Sequence, residues 1–163
     1  MNSFNDAFAA LIGNEGGYSN NPADPGGETM YGITKRVAVA NGYTGDMKSL
    51  PLATAQQIAK SMYWNPCRCD SLNIDVAFQV FDAAYNSGIT RASMWLQQAA
   101  GVATDGIVGQ QTINAANAKP WQTIVFSFLS IRLKFYATLP TWPTFGKGWS
   151  NRVANNLSIA SKG

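Results

Sequence analysis

The sequence predicts a mainly α protein of the α+β class: a helical bundle with one small β-hairpin near its N-terminus. Apolar residues recur at helical spacing along most of the 163-residue chain. Residues 14–34, NEGGYSNNPADPGGETMYGIT, break that rhythm with turn formers and short strand-like pieces. The chain is 46% hydrophobic and 13% charged, which supports a folded core and argues against disorder.

The elements follow in order. Phe4, Phe8, Leu11 and Ile12 share a helical face, with Ser3 placed to cap the start and Gly13 to stop it. Residues 16–33 are not helical, and YS and TMYGI flank the turn formers as pieces of a hairpin or a two-to-three-stranded sheet. A short helix is expected from Thr34 to about Asn41, and another from about Leu52 to Tyr63, ended by Asn-Pro. DVAFQVFDAAYNSG puts Val76, Ala77, Val80, Phe81 and Ala84 on one face and ends at Gly88. TRASMWLQQAAG is a further helix stopped by Gly101, and GVATDGIVGQQT is a loop opening into a short helix through Ala118. Pro120 sits at the first turn of a long helix whose inner face is expected to carry Ile124, Phe128, Ile131 and Phe135, with Pro140 and Pro143 ending it. FGKGWSNRVANNLSIA closes the chain as a last helix.

Composition removes several function classes. The chain has no histidine, which eliminates Ser-His-Asp and Cys-His catalysis and histidine-based metal sites. Cys67 and Cys69 are too few for a zinc site and too close for an unstrained disulfide, so buried free thiols are expected. No metal site and no cofactor is expected. No run of about 18 apolar residues is present, so no stable membrane insertion is expected. The N-terminus lacks the basic region of a signal peptide. All nine acids lie at or before Asp105, and the residues after it hold six Lys or Arg and no acid. Such an end suits a polyanionic partner, or is simply a solvated basic face. With no arginine cluster and a net charge of only +3, nucleic acid is not the expected partner.

The candidate chemistry lies in residues 14–34, which hold both glutamates of the chain, Glu15 and Glu28. Glu15 follows a helix stop and precedes Gly16 and Gly17, so a bulky ligand has room to approach. A carboxyl at the edge of an apolar cleft has a raised pKa and can donate a proton near neutral pH. Asp24 lies nine positions on, and one raised acid beside one ionised acid is the logic of glycosidic bond cleavage. Asp24, between Ala23 and Pro25, is equally a turn former.

The stretch NEGGYSNNPADPGGETMYGITKR resembles the N-terminal signature of family 108 glycoside hydrolases, muramidases of phage endolysins and of bacterial proteins that help others leave the cell. YWNPCRCDSL, VFDAAYNSG, WLQQAAGVATDGIVGQQT and FYATLPTWPTFGKGWSNRV resemble later segments of the family in the same order, so the similarity spans nearly the whole chain. The resemblance implies a single lysozyme-like domain, with residues 1–90 as the catalytic part and residues 91–163 as a peptidoglycan-binding-like helical part. It implies Glu15 as the catalytic glutamate and a bacteriolytic hydrolase of the muramic acid–glucosamine bond. Glu15 and Asp24 also have the spacing seen in phage-type lysozymes, whose threonine would fall at Met30; Thr29 stands beside it as the candidate to hold an attacking water with Asp24. Inversion, retention or a lytic transglycosylase outcome stays open, and so does a wall-binding module without activity.

Around these, Tyr18, Tyr31 and Thr34 are candidate sugar contacts, and Glu28 is either a further contact or a salt-bridge partner of Lys35 or Arg36. Asn86 is a helix C-cap or faces the cleft. Gln97 and Gln98 read as exposed helix positions, with Gln97 a candidate substrate contact. Trp149 beside Arg152 suits glycan binding, or Trp149 packs in the core. The expected partner is the peptidoglycan glycan strand and the expected state a monomer, made in the cytoplasm and acting on periplasmic peptidoglycan after release through a holin or another route.

Overall fold

A computed structural model describes residues 1–13, 16–20 and 27–162. The fold is mainly helical, with eight helices and one two-stranded antiparallel sheet among the described residues, and is lysozyme-like as expected. The chain divides into two compact units, Asn2–Met62 and, with Met1, Tyr63–Gly163.

In the first unit, helix α1 (Phe4–Ile12) starts where the Ser3 hydroxyl accepts from the Asp6 amide, and it stops at Gly13, whose φ of 52° favours glycine. It buries Ala7, Phe8 and Leu11 and packs against α3 (Leu52–Ala59). Strands β1 (Thr29–Met30) and β2 (Ile33–Thr34) pair Thr29 with Thr34 and Met30 with Ile33. Their two-residue connection, Tyr31-Gly32, has positive φ at both positions (54° and 78°), the geometry of a type I′ turn. Ser19 adds an isolated bridge to Thr29. Helix α2 (Lys35–Ala40) follows at once, capped by the Thr34 hydroxyl, which accepts from the Val37 amide at 3.3 Å. The expected 52–63 helix is α3 followed by a π-helical turn, Lys60–Trp64.

The second unit is built on α4 (Ile74–Ser87), which packs against α5 (Ile89–Ala100) and α7 (Trp121–Ala137). Residues Asp75 to Ala84 are all buried, so α4 is a central helix rather than one with a single inner face. Phe81 and Trp64 meet in a T-shaped pair, 5.4 Å between ring centres. Gly88, with φ 86°, ends α4 and starts α5. Helix α6 (Gln110–Asn117) lies on α5, and α8 (Trp142–Ala160) lies on α7. The inner face of α7 differs from the expected one: Ile124, Val125, Phe128, Leu129, Arg132 and Tyr136 are buried, while Ile131 and Phe135 are only half-buried. Burial of Arg132 turns that face, because a partner awaits it on α4. Pro143 does not end α7 but stands in the first turn of α8, where its missing N–H is harmless. Cys67 and Cys69 are buried and not joined by a disulfide. Among the described residues no helix is long and apolar enough to cross a membrane.

Candidate functional site

Glu15 and Asp24 lie outside the described residues. The structure does describe what borders them. Gly16 is tightly enclosed: a Cβ there would meet Ile12 Cβ at 3.1 Å and the Tyr31 ring at 3.3 Å. Its carbonyl accepts the Tyr31 amide at 3.1 Å. The chain directly after Glu15 is therefore clamped to the hairpin turn, and the open position expected of both glycines belongs to Gly17 alone, which has nothing within 4 Å of a would-be Cβ. Three residues on, Ser19 and Thr29 exchange backbone hydrogen bonds of 2.9 and 2.8 Å, a single bridge that ties the segment to β1.

The hairpin brings together most of the candidates from this region. The Lys35 amide donates to the Glu28 carbonyl at 2.9 Å, so the next pair inward, Thr29 and Thr34, is a non-hydrogen-bonded pair. Their side chains share one face at close approach. Thr34 spends its hydroxyl on the cap of α2. Tyr31 is half-buried in a left-handed conformation that costs a non-glycine residue about 1–2 kcal/mol. Glu28 is fully engaged: one carboxylate oxygen accepts from Tyr18 at 2.8 Å, the other pairs with Lys35 at 2.8 Å. The Lys35 ammonium, then the Tyr18 hydroxyl, hold the Glu28 carboxyl below the usual range, and the same contact with Glu28 pushes Tyr18 up. The Lys48 ammonium sits 5.1 Å from the Tyr18 ring centre. Glu28 is thus an ionised anchor that fixes Tyr18, and the salt bridge to Lys35 is the one the sequence suggested.

A second constellation forms in the helical unit. Asn86, Trp149 and Arg152, distant in sequence, line one groove of about 240 Å³ together with Arg91, Phe135 and Tyr136. A neighbouring groove of about 510 Å³ runs past Gly88, Met94 and Trp95 and shares Arg91 and Phe135 with the first. The Arg91 guanidinium lies 4.1 Å over the Phe135 ring, so this stacked pair is the ridge between the two. Tyr136 and Trp149 stack at 4.8 Å with their planes 21° apart. Trp149 thus packs against Tyr136 on one face and is half-buried at the groove.

Beneath this groove lies a charge cluster that sequence reasoning missed. Asp82, 1% exposed, accepts from Arg152 Nε at 2.9 Å, from Asn156 Nδ2 at 3.1 Å and from Arg132. Arg132 also donates to the Tyr136 hydroxyl at 2.9 Å, which in turn bonds Ser87 at 2.9 Å. Burial alone would raise the Asp82 pKa, but Arg132 and Arg152 outweigh it and hold the carboxyl below the usual range. The available signal was an acid within the apolar run of α4 and a cation within that of α7, since buried charges occur in pairs. Asn86 is no C-cap: it is exposed, and its Nδ2 donates back to the Asp82 carbonyl at 2.7 Å.

Gln97 does not belong to either groove. It is 1% exposed, and its amide nitrogen donates to Asp105 Oδ1 at 2.6 Å and to the Ile107 carbonyl at 3.0 Å. Its amide oxygen accepts the Gly106 N–H at 2.9 Å. Gln97 is a pin for the Asp-Gly loop, with both ends consumed, so the expected exposed substrate contact is corrected to a structural one. Gln98 is exposed as expected.

A family model described as "Glycosyl hydrolase 108" matches residues 8–88, and one described as "Predicted Peptidoglycan domain" matches residues 91–154. The structure of Brucella abortus SagA is similar over 98% of this chain and 94% of its own, at 34% identity and a TM-score of 0.86. The chain belongs to glycosyl hydrolase family 108. No curated protein sequence matches it. The family 108 chain is a glycoside hydrolase with peptidoglycan as its substrate. The two family models meet between residues 88 and 91, at the Gly88 corner of α4 and α5, whereas the compact units divide between Met62 and Tyr63.

Proposed function

We propose that this hydrolase is an N-acetylmuramidase. It cleaves the β-1,4 bond between N-acetylmuramic acid and N-acetylglucosamine, with Glu15 protonating the glycosidic oxygen. The observation that carries this reading is the state of Glu28. The chain has two glutamates, and Glu28 is committed through both oxygens to Tyr18 and Lys35 and held ionised. An acid held in its charged form is no proton donor. That leaves Glu15, beside the clamped Gly16 and the open Gly17, as the glutamate for general acid catalysis. Asp24 and Thr29 hold the attacking water on the far face of the sugar, and Tyr18, Tyr31 and Thr34 line the approach. Residues 1–90 do the chemistry and residues 91–163 hold the wall. The enzyme is made in the cytoplasm, reaches the wall through a holin or another route, and acts there as a monomer to release proteins or lyse the cell.

The test is digestion of purified sacculi with products identified by mass spectrometry. Reducing N-acetylmuramic ends are expected. Glu15→Gln should lower the rate about 10²–10⁴-fold, and Glu28→Gln far less. Anhydro ends would replace water by the muramic 6-hydroxyl and make the enzyme a lytic transglycosylase. Full activity in Glu15→Gln would remove the proposed acid.

A further inference from the structure

The grooves of the helical unit carry a charge pattern that an uncharged glycan does not need. Neither groove has an acidic lining residue. Asp82 lies wholly beneath, and against its one negative charge stand Arg132 and Arg152, leaving one positive charge over. Arg91 adds a second at the ridge. Arg152 gives only its Nε to Asp82; its side chain is 35% exposed, and its two terminal nitrogens have no hydrogen-bond partner among the described residues. The Arg91 guanidinium lies 4.1 Å from the Phe135 ring centre, and Arg91 is exposed. The stacked Tyr136 and Trp149 line the same groove as these two cations. Asn86 donates one amide N–H to the Asp82 carbonyl, and its oxygen is an acceptor for an N–H in the groove.

Two guanidinium groups, an aromatic platform and an amide oxygen in one groove fit a carboxylate on a peptide. In peptidoglycan the lactyl acid of the muramic residue is consumed in an amide, so the negative charges sit on the peptide stems and not on the sugars. We infer that the groove between Arg91 and Arg152 binds the stem peptide of peptidoglycan through its carboxylates, and so selects peptide-substituted strands over bare glycan. This rests on peptidoglycan being the ligand of this region, and it names the part of the polymer recognised. Guanidinium–carboxylate pairs are bidentate and charge-assisted, among the stronger contacts available at a partly exposed site.

The experiment is calorimetric titration of full-length Glu15→Gln, which prevents turnover. The probes are a disaccharide carrying its peptide stem, the same compound with the stem carboxylates amidated, the disaccharide without peptide and with its lactyl acid capped as a simple amide, and glycerol phosphate. The stem-bearing compound should bind about tenfold tighter than the amidated and peptide-free ones. Adding Arg91→Ala should remove that preference; so should Arg152→Gln. Arg91 is exposed and outside the Asp82 cluster, so its removal reports on binding and not on folding. Equal affinity for the stem-bearing and peptide-free compounds overturns the inference. Glycerol phosphate binding as tightly as the stem overturns it in favour of a phosphate polymer. Wild-type digestion of sacculi runs alongside: turnover without stem preference sinks this inference alone, and stem preference without turnover sinks the muramidase reading alone.

Discussion

Asp82 shows how one residue organises a helical unit. Its carboxylate joins α4 to α7 through Arg132 and to α8 through Arg152 and Asn156. Removing one partner of a buried ion pair leaves the other uncompensated, which costs about 3–5 kcal/mol. Asp82→Asn is therefore expected to lower the midpoint of urea unfolding sharply, although the amide is nearly the same shape. The pH dependence has a defined sign. Asp82 has a depressed pKa when folded, so the stability it contributes is fully present above the unfolded aspartate value of about 3.9 and is lost as pH falls below it. Wild type should lose stability below about pH 4, while Asp82→Asn should show a flatter acid limb. Equal acid limbs would mean that the guanidinium groups need no counter-charge. Why this residue was not foreseen is a matter of range. Arg132 is fifty positions from Asp82, and helical periodicity reports only neighbours one turn apart. Gln97 fails in the same way where Gln98 does not: only the Asp105–Ile107 loop decides which of the two adjacent glutamines is buried.

At the scale of elements, ends are more readable than faces. Ser3, Gly13, Thr34 and Gly101 bound their helices as expected because a cap acts within one turn of chain. The face of α7 depended on partners elsewhere and was misassigned. The β1–β2 turn holds a local conflict that sequence reading did not weigh. Tyr31 takes a left-handed conformation that asparagine or glycine adopts at lower cost, and Asn-Gly is the preferred pair for this turn. Tyr31→Asn is expected to relieve about 1 kcal/mol of backbone strain and, by thermal unfolding, to keep or raise the midpoint. Strain retained beside the proposed catalytic glutamate points to a functional role for the ring, so the same variant should digest sacculi more slowly. A variant that is both less stable and fully active would reverse that reading. On α8, Gly146 lets the Trp142 indole lie across the helix backbone; an added Cβ would meet the ring at 2.6 Å. Trp142 lies 6.2 Å from Trp149, so Gly146→Ala should disturb the groove through the aromatic cluster. The expected cost is about 1–3 kcal/mol, with a shift in tryptophan fluorescence.

The molecule as a whole carries its charge unevenly: a net +3, with six cations and no acid after Asp105. Uneven charge of this kind acts on encounter and retention rather than on folding. Its effect should therefore separate from the chemistry proposed for Glu15 when salt is varied. At physiological ionic strength exposed charges are screened beyond about 8 Å, and at 1 M beyond about 3 Å. Retention of Glu15→Gln on sacculi should weaken steadily as salt rises. The rate on a small soluble fragment, which needs no electrostatic capture by an extended surface, should change much less. Replacing Lys134 and Lys147, both exposed, with glutamine should reduce the salt sensitivity without shifting the unfolding midpoint. Surface charges contribute little to stability, about 0–1 kcal/mol even when paired. Retention that is strong at low salt and unchanged at 1 M would reduce the basic end to a solvated face. Retention lost with salt while fragment turnover persists would assign the basic end the task of holding the enzyme on an anionic wall between cuts.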